Sequence, residues 1–204
     1  MHIAIAGNIG VGKTTLCKML SKNYKWDPLY ESVEQNPYLD DFYHDMQRWS
    51  FNLQVFFLNS RFRQVQDILK SKKTIIQDRT IYEDAYIFAP NLQSMGLMTV
   101  RDYENYLELF RLMESFVSPP DLLIYLRSDV PALVNKIQNR GRNYEEGIRI
   151  DYLKRLNERY EAFFENYKHN HLILQANEID FQNNKNDFGM IIEKIDANLS
   201  GFCK

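Results

Sequence analysis

Cysteine is nearly absent: Cys17 and Cys203 are the two thiols in 204 residues. Two cannot form a disulfide framework, so both are expected to stay free in a reducing compartment. Long hydrophobic runs are missing too, none approaching the ~18 residues that a membrane span needs. The first β-prone run begins at residue 2, which leaves no room for a signal or transit segment, so a cytoplasmic location is expected. There is little charge in excess, since 25 Lys and Arg against 27 Asp and Glu leave a net −2 and a pI near 6.1. That balance excludes the broad basic field that nucleic acid requires, while leaving room for a local cationic cluster around a small anion. No repeat or low-complexity tract is visible, and the length fits a single domain, residues 1–204, with one sizeable core.

What is present is concentrated at the N-terminus, in HIAIAGNIGVGKTT. Ile3, Ala4, Ile5 and Ala6 read as a buried strand, and Leu16, Met19 and Leu20 follow at helical spacing. Between them, Gly7, Gly12, Lys13 and Thr14 match G-x-x-x-x-G-K-[ST]. Glycines let backbone N–H groups and a helix start converge on an anion, so Gly7, Asn8, Ile9, Gly10, Val11, Gly12, Lys13, Thr14 and Thr15 are expected to cradle a triphosphate. Lys13 would neutralise the β and γ oxygens, and the Thr14 hydroxyl would face Mg2+.

Further β-prone runs fall at 74–77, 122–126 and 172–174, with a weaker one at 29–31, each separated by helical stretches. Short buried strands alternating with helices predict an α/β fold, a doubly wound parallel sheet of about five strands covered on both faces. Long helices are predicted over 46–70, with Trp49, Leu53, Phe56, Phe57 and Phe62, and over 99–117, with Tyr103, Tyr106, Leu107, Phe110, Leu112 and Met113. Most of these belong to the core, but they exceed what one face needs, and a subunit interface is one way to bury the surplus. Pro119 and Pro120 break the chain before LLIYL, and Pro131 opens the next helix where its missing N–H does no harm. Residues 183–187 read as a polar loop before a terminal amphipathic helix.

A phosphate-binding loop establishes only that a nucleoside triphosphate binds; kinase, GTPase, motor and transporter all remain open. Asp78-Arg79-Thr80 stands at the carboxyl end of a predicted parallel strand, where ligands sit in such sheets. An acid there can hold magnesium and an arginine can stabilise a transferring phosphoryl group, although a surface ion pair would carry the same letters. Lys136 and Arg140 share one helix face, followed by Gly141, Arg142 and Arg149. This is either a solvated face or a lid over about 136–149 that closes on phosphates and excludes water.

AGNIGVGKTT, YESVEQNP, FYHDMQRWSFNLQ, DRTIYEDAYIFA, PDLLIYLRS and NRGRNYEEGIRIDYL occur in that order, and together they resemble the deoxyribonucleoside kinases from residue 1 to about residue 181. The resemblance implies ATP- and Mg2+-dependent phosphorylation of a deoxynucleoside 5′-hydroxyl. It implies Glu31 as proton acceptor, Tyr43 and Glu145 on the 3′-hydroxyl, Gln54 on the base, and Arg61 and Asp84 at polar positions of the base pocket. Arg79 would lie between the 5′-oxygen and the phosphates, Asp78 near the metal, Lys136, Arg140 and Arg142 in the lid, and Asp180-Phe181 against the adenine of ATP. It also supports a homodimer. Ser32 replaces a common proline, Thr80 a common serine, and Asp78 the glutamate of animal members. These departures resemble the bacterial deoxyadenosine/deoxyguanosine branch, for which purine deoxynucleosides, deoxyadenosine first, are the expected substrates.

Glu31 and Asp78 are both candidate bases. Glu31 is preferred because Asp78, beside Arg79 and a metal, is expected to have a lowered pKa. Deoxycytidine or broad-specificity phosphorylation is an alternative, because Gln54 with Asp84 and Arg61 would also satisfy cytosine. A thymidylate-type nucleotide kinase would need a cation for its acceptor phosphate where this chain has Glu31. A GTPase-type switch would need N-K-x-D at a strand end, and Asn184-Lys185-Asn186-Asp187 falls beyond the last strand.

Overall fold

The computed structural model describes residues 1–31, 33, 35–142, 145 and 147–200. Ser32 and Cys203, and part of the expected lid, lie outside the described residues. Five parallel strands, β1 (His2–Gly7), β2 (Asp27–Leu29), β3 (Ile75–Asp78), β4 (Leu122–Arg127) and β5 (His171–Gln175), form one sheet in the order β2-β3-β1-β4-β5. The order of strands reverses about central β1, with β2 and β3 on one side and β4 and β5 on the other, so β3 and β4 flank the strand that carries the phosphate-binding loop. Such a switch point leaves a crevice at the carboxyl ends.

Period-two side chains place a core on each face. Ile3, Ile5, Leu122, Ile124 and Leu126 face α1 (Lys13–Tyr24), α7 (Val130–Arg140) and α9 (Lys185–Ser200). Ala4, Ala6, Leu123 and Tyr125 face α2 (Leu39–His44), the first half of α3 (Met46–Lys70), α5 (Ala89–Ser94) and α8 (Ile150–Asn166). A third cluster joins the rest of α3 to α6 (Val100–Glu114) through Leu58, Ala85, Tyr106 and Phe110.

The expected strand over 29–31 instead occupies Asp27–Leu29. Pro28 is accommodated because β2 is an edge strand that pairs with β3 alone. Helix α3 keeps the expected bounds, started by Asp45, whose carboxylate accepts from Arg48 N at 3.0 Å. The expected loop over 183–187 gives way to α9 at Lys185, where Asn184 Nδ2 donates to Asp187 Oδ1 at 2.9 Å. That segment caps a helix and reads no base.

After β3 the chain enters α4 (Ile81–Glu83), a π-helical turn over Asp84–Phe88, then α5. The wide turn has no signature in the periodicity of the sequence. Such turns interrupt α-helices at functional sites, and this one carries Asp84 and Phe88.

Candidate active site

Gly7, Gly10 and Gly12 have φ of 148°, 83° and 109°, conformations an L side chain resists. The loop they allow lies over the start of α1. Asn8 Oδ1 accepts from Ile9 N at 2.8 Å, and its amide nitrogen donates to Leu153 O at 3.1 Å and Asn157 Oδ1 at 3.2 Å, tying the loop to α8. Lys13 Nζ donates to Asn8 O at 3.1 Å. Burial, with Arg79 nearby, lowers the Lys13 ammonium to about 8.

A cavity of about 1200 Å³ opens over this loop. Its floor runs from Ile9 to Thr15, and its walls bring together Glu31, Tyr43, Gln54, Arg79, Asp84, Lys136, Arg140, Arg142, Glu145, Asp180 and Phe181. Gly7, Asn8, Arg61 and Asp78 lie just behind the surface. Part of the apolar wall was not singled out by the sequence: Phe57, Phe88 and Tyr152, on three different elements, become site residues only when the fold turns them toward the cavity.

Glu31 Oε1 receives two arginines, Arg61 Nη2 at 2.7 Å and Arg79 Nε at 3.2 Å. Arg61 is 1% exposed and spends its other nitrogens on Asp78 O at 3.1 Å and Asp84 Oδ2 at 3.4 Å. It therefore sits behind the cavity wall and bridges Glu31 and Asp84. Arg79 has a φ of 70°, which costs a non-glycine residue roughly 1–2 kcal/mol, and its guanidinium lies 4.3 Å over the ring of Phe88.

The expectation that Asp78 titrates low is corrected by these contacts. Burial pushes Asp78 up, against Lys13 and with added repulsion from Glu31. Burial would also raise Glu31, but Arg79, Arg61 and Lys13 outweigh it and hold Glu31 well below the usual carboxylate range. The two acids compete for the same cations, and the one touching both arginines wins. Asp78 Oδ2 accepts from the Thr14 hydroxyl at 2.5 Å, while buried Asp78 Oδ1 has no hydrogen-bond partner among the described residues. No group of three His, Cys, Asp or Glu able to hold a metal occurs among the described residues. The pair Thr14 and Asp78 suits Mg2+ all the same, because that ion is commonly held by one or two protein oxygens, water and substrate phosphates.

Lys136 Nζ reaches Ala176 O at 3.2 Å and Val11 O at 3.5 Å. Arg140 instead turns to Glu145, which it meets with two nitrogens, and Arg142 Nη1 stands 3.6 Å from the same carboxylate. The two cations of the i, i+4 pair thus diverge. Gly147 packs against the backbone of Tyr43 in α2, a Cβ there falling 3.4 Å from Tyr43 O. Phe181 is buried against the loop, its Cζ 3.2 Å from where a Cβ on Gly12 would stand.

At the cavity wall, Gln54 Oε1 has no hydrogen-bond partner among the described residues, and Asp84 Oδ2 and Arg79 Nε meet only an opposite charge, Arg61 Nε at 3.4 Å and Glu31 Oε1 at 3.2 Å. Unsatisfied buried polar atoms are costly, and with Asp78 Oδ1 they outline a polar ligand. Burial raises Asp84 to about 7 against the pull of Arg61 and Arg79.

Known proteins share this arrangement's sequence and fold. The deoxynucleoside kinase family model matches residues 3–200. The chain is 38% identical over 196 residues to the deoxyadenosine/deoxycytidine kinase of Bacillus subtilis strain 168, covering 95% of this chain and 90% of that protein. It is 39% identical over 180 residues to a deoxyadenosine kinase of Dictyostelium discoideum, covering 88% and 73%. Deoxyadenosine kinase from M. mycoides with bound dATP superposes with a TM-score of 0.85 at 30% identity, over 96% of this chain and 100% of that one. These relatives leave no place for the nucleotide-kinase or GTPase-switch readings. With the phosphate-binding loop, the Asp-Arg turn and the family match spanning one continuous sheet, the chain belongs to the deoxynucleoside kinase family.

Proposed function

We propose that this deoxynucleoside kinase phosphorylates purine deoxynucleosides at the 5′-hydroxyl for nucleotide salvage, deoxyadenosine first, with ATP and Mg2+ in the cytoplasm. The observation that supports the base preference is a pair of buried acceptors at the cavity wall, Gln54 Oε1, without a hydrogen bond among the described residues, and Asp84 Oδ2, which meets only Arg61 at 3.4 Å. Both suit an exocyclic amino group, which adenine and cytosine present and thymine lacks, so they argue against thymidine, and the deoxyadenosine-first order rests on the relatives. The relatives named for deoxyadenosine support the same order.

In this reading Glu31, kept ionised by Arg61 and Arg79, accepts the 5′-hydroxyl proton. A low-pKa carboxylate suffices because that proton becomes acidic only as the bond to phosphorus forms. Arg79 stabilises charge on the transferring group, Lys13 and the loop amides hold the donor phosphates, and Thr14 with Asp78 would hold Mg2+, which supplies charge neutralisation at the phosphates. Tyr43 and Glu145 clamp the 3′-hydroxyl, while Lys136, Arg140 and Arg142 close over the donor. Phe181 packs on the nucleotide base with Asp180 beside it.

The homodimer belongs to the same proposal. Leu69, Leu112 and Phe116 remain 64%, 69% and 66% exposed on and just beyond α3 and α6, an apolar surface that a second copy would cover.

The test is phosphate transfer from ATP to the four deoxynucleosides and to their monophosphates. Deoxyadenosine should give the highest kcat/KM, with deoxyguanosine next. A preference for thymidine, or for any monophosphate, would overturn the reading.

A further inference from the structure

Glu83 is buried, lies outside the cavity wall and is accounted for by none of the roles above. Its two oxygens face four donors on three parts of the fold. Oε1 accepts from Gly7 N at 3.2 Å and from the Tyr160 hydroxyl at 2.8 Å. Oε2 accepts from Thr80 N at 2.8 Å and from Thr80 Oγ1 at 3.4 Å. Gly7 opens the phosphate-binding loop, Thr80 immediately follows Arg79, and Tyr160 belongs to α8, the helix to which Asn8 also anchors that loop.

A reciprocal cap at a helix start explains half of this. Thr80 and Glu83 form a capping box, a local device that needs only one carboxylate oxygen. The other oxygen is spent 76 residues away in sequence, on the backbone N–H of Gly7. A residue that served the cap alone would leave that amide unpaired in a fully buried place, an arrangement folded proteins avoid. The bond at Thr80 also has a particular neighbour. It fixes the peptide that leaves Arg79, and Arg79 occupies a left-handed conformation, with its own N–H donating to Ile5 O of β1 at 3.0 Å. Such a conformation persists only where its surroundings over-determine it.

We infer that Glu83 is a positioning residue for phosphoryl transfer: one carboxylate that locks the Arg79 turn to the entry of the phosphate-binding loop, fixing the arginine against the donor phosphates. The inference rests on the role of Arg79 proposed above and extends it to a group that touches neither substrate. Transfer demands that donor, acceptor and arginine be held to within a fraction of an ångström, and Glu83 bonds to the backbone of both loops that must agree.

Glu83→Gln keeps the volume but presents an NH2 group to one pair of donors, so either the Gly7 and Tyr160 side or the Thr80 side must open. The expected result is a kcat at least 10-fold lower with KM for deoxyadenosine changed less than threefold, in a protein whose circular dichroism spectrum is native. Loss of the acceptor pocket or general loosening would move KM instead. Turnover within threefold of native would overturn the inference, as would a KM increase that accounts for the whole loss. If Glu83→Gln does not fold, Tyr160→Phe decides the matter by removing one donor and no volume from the core. A kcat lowered at least threefold at constant KM supports the inference, and unchanged kcat overturns it. A native protein that transfers no phosphate to any deoxynucleoside would instead sink the functional reading beneath it.

Discussion

Glu31, Asp78 and Asp84 crowd one small volume, and their neighbours give each a different proton affinity. Glu31 touches two arginines and stays ionised; Asp78 touches a hydroxyl and is pushed up by burial; Asp84 is raised to about 7. Replacing Glu31 with Gln should preserve deoxynucleoside binding, since an amide still hydrogen-bonds a hydroxyl, yet lower turnover about 100-fold to 10,000-fold, the usual span of base catalysis. Calorimetric binding together with steady-state kinetics checks this, and near-native turnover would pass the base role to Asp78. Asp84 makes a stability prediction. The folded protein keeps its proton up to about pH 7, whereas the unfolded chain releases it near the usual 3.8. Stability therefore falls as pH rises through that interval and stays lowered above it. Asp84→Asn removes the ionisation cost, so at pH 8 it should raise stability by about 2–4 kcal/mol, with the advantage vanishing below pH 4 and activity on deoxyadenosine falling. Melting curves at both pH values decide it. Glu31 was legible in the sequence as the preferred base, but the order of proton affinities was not, because it depends on Arg61 and Arg79 both meeting Glu31 across the fold.

Elements differed in how plainly the sequence announced them. The α3 boundaries follow from a capping Asp45 and a sustained apolar period, both local, and the phosphate-binding loop follows from glycines whose backbone angles nothing else tolerates. The π-helical turn and the displaced β2 were illegible for the opposite reason: one is a change of pitch without a change of pattern, the other a pairing choice made by β3. Glu83 was illegible as well, since a glutamate in Y-E-D reads as surface charge until β1 delivers the Gly7 amide to it. The loop's glycines predict a contrast. A Cβ on Gly10 would stand 2.6 Å from Ile137 Cγ1 and 3.1 Å from Leu133 O, so Gly10→Ala should force the loop away from α7, cost about 2–4 kcal/mol and raise KM for ATP. Gly141 caps α7 with a φ of 64°, but a Cβ there would meet nothing within 4 Å among the described residues; Gly141→Ala should cost only about 1 kcal/mol, the strain alone. Thermal denaturation of the two variants side by side tests the difference.

At the scale of the whole molecule, the parallel sheet covered on both faces and the crevice at its carboxyl ends follow from a strand-helix alternation that the sequence shows, while the order of the strands does not. Partnership depends on surfaces instead. Light scattering at micromolar concentration should report a dimer for the native chain and a monomer for Leu112→Lys with Phe116→Lys, since two buried charges would oppose the contact; a native monomer would count against the interface. Lys13 carries the last consequence. An ammonium brought down to about 8 by burial is half neutral at that pH, and phosphate oxygens beside it would restore its charge. The hydrogen ion is then a co-ligand of the nucleotide: at pH 8, ATP binding should draw roughly half a proton from the solvent, and at pH 6 almost none from this group. Calorimetry in buffers of unlike ionisation enthalpy reads that uptake directly, and affinity for ATP should weaken as the medium turns alkaline even though the fold remains intact.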